Sequence, residues 1–207
     1  MRKNRVNKKF IYLISPNRIK DNLFYYNLEQ VLKTSKVSHF QLRLKKQKRE
    51  KKISIGKKIK KICKKHNVKF LINDNPTLAK KLNADGCHLG QKDMSILKAR
   101  KILKNKIIGI TCHNSIELAR RGIEDGADYL AFGAFYYSQT KKTKYKASLK
   151  ILRLVKKLTN TPVVAIGGIK NTNYKKLLLN KANFLAISGY IWNNKKLNPK
   201  EAISKFI

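Results

Sequence analysis

Apolar residues along this chain gather in short runs, separated by longer stretches in which they recur every three or four positions. The runs are KFIYLISP (9–16), VSHFQLRL (37–44), KFLIND (69–74), GCHLG (86–90), IIGITC (107–112), YLAFGAF (129–135), PVVAIGG (162–168) and FLAISGYI (184–191). Each has the length of a strand, and runs that stay apolar throughout belong to strands covered on both faces. The segments between most of them read as amphipathic helices. In SIELARRGIEDGA, for instance, Ser115 stands where it can cap the first turn. Strands alternating with helices predict a parallel sheet, and eight such units predict an α/β fold of one domain, a (β/α)₈ barrel over residues 1–207. A doubly wound sheet of fewer strands is the alternative, since GCHLG is short enough for a loop.

Composition narrows the class. With 207 residues and 42% hydrophobic content, the chain suits one soluble domain with a core of its own. No apolar stretch approaches the ~20 residues of a membrane span, and the run after the basic MRKNRVNKK start is too short for a signal peptide. A cytoplasmic protein without membrane contact is expected. Cys63, Cys87 and Cys112 are widely spaced and include no CxxC pair, which suggests small core residues in a reducing compartment.

Charge changes the picture less than its size suggests. Lys and Arg number 49 against 11 Asp and Glu, a formal +38 that would ordinarily point to nucleic acid. The lysines are spread along the chain, however. In the densest run, 44–66, Ile53, Ile55, Ile59 and Ile62 partly follow helical spacing, so most of its lysines form a solvated helix face. No aromatics interleave with them to stack bases. Small phosphorylated molecules fit better as partners, and oligomeric state is left open.

In a barrel, the C-terminal strand ends and the loops after them form the active face. That face receives Arg43 and Lys45, Asn73 and Asp74, Gln91 and Asp93, Thr111 and His113, Ser138, Thr140 and Lys141, Gly167 and Gly168, and Ser188 and Gly189. Alternation in QLRLK puts Gln41, Arg43 and Lys45 on one side and Leu42 and Leu44 on the other, an amide and two cations suited to a phosphate or pyrophosphate. A lone Arg inside an apolar strand needs an anion to offset its burial. Asp74 and Asp93 follow neighbouring strands. Together with a phosphorylated substrate they suit Mg²⁺, while an Asx turn at Asp74 and a helix cap at Asp93 explain them equally well. YYSQTKKTK offers the hydroxyls of Ser138 and Thr140 and the cations Lys141 and Lys142 for an anion, and the glycines of AIGG and ISG follow strands seven and eight, where barrels often bind phosphate. His113, two residues past Thr111, faces the same way if the strand continues and is a candidate proton carrier. His88 reads as packed or hydrogen-bonded, and Asp85 as a structural turn residue.

Taken together, QLRLK, IND with ADGCHLGQKD, IIGITCH, GADYLAFGAFYYSQTKK and PVVAIGGI resemble the thiamine phosphate synthase family and its relatives, the thiazole tautomerases, over about 37–169. The resemblance implies a barrel that joins 4-amino-5-hydroxymethyl-2-methylpyrimidine diphosphate to 4-methyl-5-(2-phosphoethyl)thiazole, releasing pyrophosphate in a dissociative, Mg²⁺-assisted reaction. It implies that Gln41, Arg43, Lys45 and Asn73 hold the pyrimidine diphosphate, that Asp74 and Asp93 bind Mg²⁺, and that Thr111 replaces a serine near the pyrimidine. Ser138 and Thr140 would meet the thiazole, Lys141 the departing pyrophosphate, and Gly168, Ile187 and Ser188 the thiazole phosphate. Arg43, Lys45 and Lys141 would act in catalysis. Departures from the pattern fall at Leu44, Ala134, Ser138, Gln139 and YLISPN. A metal-independent tautomerase using His113, or a non-catalytic barrel binding RNA or another ligand, are the competing functions.

Overall fold

The computed structural model describes residues 9–19, 21–45, 47–138 and 145–207. Eight parallel strands pair each with the next and the last with the first, closing a barrel. They are β1 (Ile11–Ile14), β2 (Val37–Leu42), β3 (Lys69–Asn73), β4 (Gly86–Leu89), β5 (Ile107–His113), β6 (Tyr129–Gly133), β7 (Val163–Ile166) and β8 (Phe184–Ile187). Every apolar run thus contains one strand. GCHLG is no loop: Gly86 to Leu89 pair with β5, and Gly86, Cys87 and His88 also pair with β3. The doubly wound alternative is therefore excluded.

Helices fill the intervals: α1 (Leu23–Lys33), α2 (Arg49–Lys65), α3 (Pro76–Lys81), α4 (Ile96–Leu103), α5 (Ile116–Glu124), α6 (Leu149–Leu158), α7 (Tyr174–Leu179), α8 (Gly189–Trp192) and α9 (Pro199–Ser204). Ser115 caps α5 by accepting the Leu118 N–H at 3.1 Å. In α2, Ile55, Ile59 and Cys63 are buried against the sheet while Lys51, Lys57, Lys58, Lys61, Lys64 and Lys65 are exposed, so the basic run is indeed a helix with a solvated face. Among the described residues, no helix is long and apolar enough to cross a membrane. The three cysteines are buried and unpaired.

Two cores result from strand alternation. The larger lies between sheet and helices and holds Ile11, Leu13, Phe40, Ile72 and Leu89 among others. A smaller one fills the barrel itself, where Tyr12, Leu71, Tyr129, Ala131, Val164 and Ala186 meet.

At the N-terminal end of the barrel one local device recurs. Asp85, just before β4, donates its N–H to the Phe70 carbonyl (2.8 Å) and accepts the Phe70 N–H on its carboxylate (2.8 Å). Asp128, just before β6, does the same to Ile108 (both 2.7 Å), and Asn183, just before β8, to Val163 (2.8 and 2.9 Å). Each side chain satisfies a strand N–H that has no ladder partner. The structural reading of Asp85 therefore holds, and Asp128 additionally pairs with Arg100 at 2.7 Å.

Because Asn183 performs this task without charge, Asp128→Asn is expected to cost at most about 1 kcal/mol, the worth of a partly exposed ion pair. Asp128→Ala, which strands the Ile108 N–H, is expected to cost about 2 kcal/mol. Urea unfolding of the two variants beside the parent protein measures the difference.

Candidate active site

The C-terminal end of β2 delivers an amide and two cations. Gln41 is buried, and its side-chain amide donates to Asn73 Oδ1 at the end of β3. Leu42 and Leu44 are buried on the other side, as alternation requires. Arg43 itself does not lie inside the strand, which ends at Leu42. It is a half-buried rim residue: its backbone N–H donates to Ser15 Oγ (2.9 Å) and Nη1 to Asn17 Oδ1 (2.9 Å). Burial lowers its pKa and the charge of Asp74 opposes that. Lys45 is exposed, with Nζ 3.4 Å from Asp74 Oδ2. A cavity of about 250 Å³ opens beside Lys45, Asn73 and Asp74.

Asp74 adopts a left-handed backbone (φ 63°), and its N–H donates to the His88 carbonyl at 2.7 Å. The cap of α3 is Asn75, which accepts from the Leu78 N–H. Nor does Asp93 cap α4, because Ser95 does. Asp93 Oδ2 instead accepts the Gly90 N–H at 2.7 Å, closing a short turn that aims the carboxyl group at Asp74. Desolvation chiefly raises the Asp93 pKa, and Asp74 at hydrogen-bonding reach raises it further, against the lowering influence of Gly90 and Lys45. Two carboxylates that repel one another beside a cavity suit a hard divalent cation. Among the described residues no group of three or more acidic, His or Cys side chains could hold a metal, so phosphate and water oxygens would have to complete its shell.

Thr111 on β5 is half-buried at the rim. His88 Nε2 lies 2.9 Å from its hydroxyl, and Gln91 donates to its carbonyl at 2.6 Å. His88 is thus hydrogen-bonded, as expected. His113 departs from expectation. The pairing of β5 with β6 slips between Thr111 and His113, and His113 is left-handed (φ 54°) with its ring stacked on Tyr145 at 3.8 Å. An extra residue breaks the alternation that would have turned it toward Thr111.

On the far side of the rim, Gly167 and Gly168 take φ of 104° and 62°. A Cβ on Gly168 would stand 2.2 Å from the Tyr137 carbonyl oxygen, so the bare residue lets the loop after β6 lie against the loop after β7. Ser138, in that loop, is half-buried, whereas Thr140, Lys141 and Lys142, with Gln139, lie outside the described residues. Ile187 is buried at the end of β8, and Ser188 Oγ donates to the Ser15 carbonyl at 3.1 Å. Ser15 therefore ties the ends of β1, β2 and β8 together, a role that a serine in an apolar run did not announce.

A closed (β/α)₈ barrel with cations, amides and paired carboxylates on its C-terminal rim is the frame of a barrel enzyme. The family model described as thiamine monophosphate synthase matches residues 11–191, and the chain belongs to that family. It is 71% identical over 205 residues to the thiamine-phosphate synthase of Pelagibacter ubique, covering 99% of both chains. To that of Erythrobacter litoralis it is 39% identical, covering 95% of this chain and 94% of the relative. In structure it is similar to thiamine phosphate pyrophosphorylase from Pyrococcus furiosus, with a TM-score of 0.85, 26% identity, and 97% and 94% of the two chains covered.

The repulsion between the two acids predicts a stability effect opposite to a functional one. A group whose folded pKa is raised makes the protein relatively less stable once it ionises. Asp93→Asn is therefore expected to raise Tm slightly in buffer free of divalent cations at neutral pH, and to lose that advantage near pH 3, where Asp93 is itself neutral. Thermal melts at both pH values check this.

Proposed function

We propose that the protein is a transferase that condenses 4-amino-5-hydroxymethyl-2-methylpyrimidine diphosphate with 4-methyl-5-(2-phosphoethyl)thiazole to give thiamine phosphate and pyrophosphate. Membership of the family supports the reaction. The observation that carries the residue roles is the meeting of Arg43 and Lys45 with Asp74 and Asp93 at neighbouring strand ends. In the reaction, the bond between the pyrimidine methylene carbon and the diphosphate oxygen breaks, and the thiazole nitrogen bonds to that carbon. Pyrophosphate leaves with the electron pair.

The chain's own groups suit that demand. Arg43, preset by Asn17 and Ser15, presents a fork to the diphosphate, and Lys45 brings a point charge to the same oxygens. Gln41 and Asn73, already hydrogen-bonded to each other, orient the pyrimidine diphosphate from below. Asp74 and Asp93 would hold Mg²⁺, which when bound offsets charge on the departing pyrophosphate. Gly168, Ile187 and Ser188 receive the thiazole phosphate. Ser138 and Thr140 meet the thiazole and Lys141 the leaving group, in a loop described only as far as Ser138. A cytoplasmic location suits such a biosynthetic step.

With both substrates supplied, product is expected only with Mg²⁺, and EDTA is expected to stop it. Asp74→Asn and Asp93→Asn should each lower kcat/KM by about a hundredfold or more, since a neutral amide is a poor ligand for the cation. His113→Ala should change it far less. A chelator-resistant isomerisation of the thiazole, abolished by His113→Ala, would instead establish a tautomerase.

For Arg43→Lys, loss of the fork predicts a KM for the pyrimidine diphosphate raised about tenfold, with the KM for the thiazole phosphate nearly unchanged. Steady-state kinetics with each substrate varied in turn provide the measurement.

A further inference from the structure

Beneath the rim, four side chains form a continuous hydrogen-bonded string through the barrel interior. Thr111 Oγ1 lies 2.9 Å from His88 Nε2, His88 Nδ1 lies 2.8 Å from Tyr129 Oη, and Tyr129 Oη lies 2.8 Å from Tyr12 Oη. Tyr12, Tyr129 and His88 are buried, with 2%, 5% and 7% of their surface exposed. Thr111, at the upper end, is half-open to the rim. The backbone makes room for the string at Gly109, where a Cβ would stand 1.9 Å from Tyr129 Cζ. Tyr129 also stacks on the His88 imidazole, with the two rings 12° apart in plane.

Counting protons gives the string a direction. A phenol carries one proton, and a neutral imidazole carries one on either nitrogen. Among the described residues, Tyr129 Oη is the partner of the Tyr12 hydroxyl. Tyr12 must therefore donate to it or leave a buried O–H unpaired, which is costly. Tyr129 then gives its own proton to its other neighbour, His88 Nδ1. Nδ1 is an acceptor, so the ring proton sits on Nε2, and Nε2–H donates to Thr111 Oγ1. Running the string the other way strands the Tyr12 proton, and a doubly protonated imidazole strands that of Tyr129.

We propose that Tyr129 and His88 are positioning residues that fix Thr111 as a hydrogen-bond acceptor from within the barrel and so turn its hydroxyl proton outward, toward an acceptor atom of the pyrimidine ring. The ligand in this statement rests on the reaction proposed above; the direction of the string does not. A rim donor held in this way selects for a ring nitrogen at the matching place and rejects an analogue with C–H there, because the donor is then left unpaired.

¹⁵N-detected NMR of protein labelled in its four histidines reads the tautomer of each ring, with His88→Gln identifying the His88 signals. The neutral Nε2–H form is expected for His88 in the parent protein. It is expected in Tyr12→Phe as well, where Tyr129 still has His88 Nδ1 to donate to. Tyr129→Phe keeps the ring over Gly109 but removes the donor to Nδ1, and mixed tautomers are expected. With them the KM for the pyrimidine diphosphate should rise about tenfold while that for the thiazole phosphate holds. An Nδ1–H or doubly protonated His88 in the parent protein overturns the proposal, and so does an unchanged tautomer in Tyr129→Phe. If Tyr129→Phe does not fold, the parent and Tyr12→Phe spectra still decide the direction. A parent protein with the Nε2–H signature that makes no thiamine phosphate would refute the reaction and leave the string standing.

Discussion

Hydrogen bonding between β1 and β8 turns a sheet with two free edges into a ring, and the geometry of the rim follows from that closure. Once the ring is shut, Ser15 at the end of β1 lies between the ends of β2 and β8. There it accepts from the Arg43 N–H and, through its carbonyl, from Ser188. Trp192 adds a further tie from α8 to the Ile14 carbonyl at 2.7 Å. Residues proposed to meet different parts of the two substrates are thus joined through Ser15, just past the end of β1. Without the closing ladder, Arg43, after the second strand, and Ser188, after the last, would lie toward opposite sides of an open sheet.

Even in so basic a chain, several carboxylates have a definable task. Asp85 and Asp128 are bound to backbone N–H groups, and Glu29 meets Lys65 at 2.6 Å on the helical surface. Asp74 and Asp93 differ because they face each other as well as a cation, an arrangement that lowers stability unless something positive lies between them. The Mg²⁺ proposed for this site would offset that cost when bound. Most of the lysine on α2 is carried on solvated surface, but Lys52 lines the same cavity as Lys45 and Asp74 and adds to the positive charge there.

Much of the fold was legible in the sequence, because a barrel needs repeated apolar runs and the runs stand out. Each of them contains a strand, including the four-residue β4. The pairing of Asp74 with a neighbouring acid was legible too, since strand ends in a barrel adjoin in order. Other features could not be read. The slip in β5 inserts Cys112 as an extra residue opposite β6, which periodicity does not encode, and it removed His113 from the place alternation assigned it. The inward-facing tyrosines were hidden because Tyr12 and Tyr129 count as apolar in a pattern, while their hydroxyls find each other across 117 residues. Ser15 and Asn17 escaped notice for a similar reason: their partner Arg43 lies on another strand end, and only closure brings them together.

The clamps beneath β4, β6 and β8 have a wider meaning. All three are spelled alike, as Ala84-Asp85, Ala127-Asp128 and Ala182-Asn183, and each joins an even strand to the odd strand before it. The construction unit of this barrel is therefore a pair of strands with their helices, repeated around the axis. The first pair departs from the rule, since Ile11 donates to the Lys36 carbonyl and its own carbonyl accepts from Ser38 Oγ. Quarter-barrel modules latched from below leave the opposite end of every strand free to vary. A rim can then drift in chemistry, swapping a serine for Thr111 or an acid for Leu44, without loosening the latches that hold the ring in register.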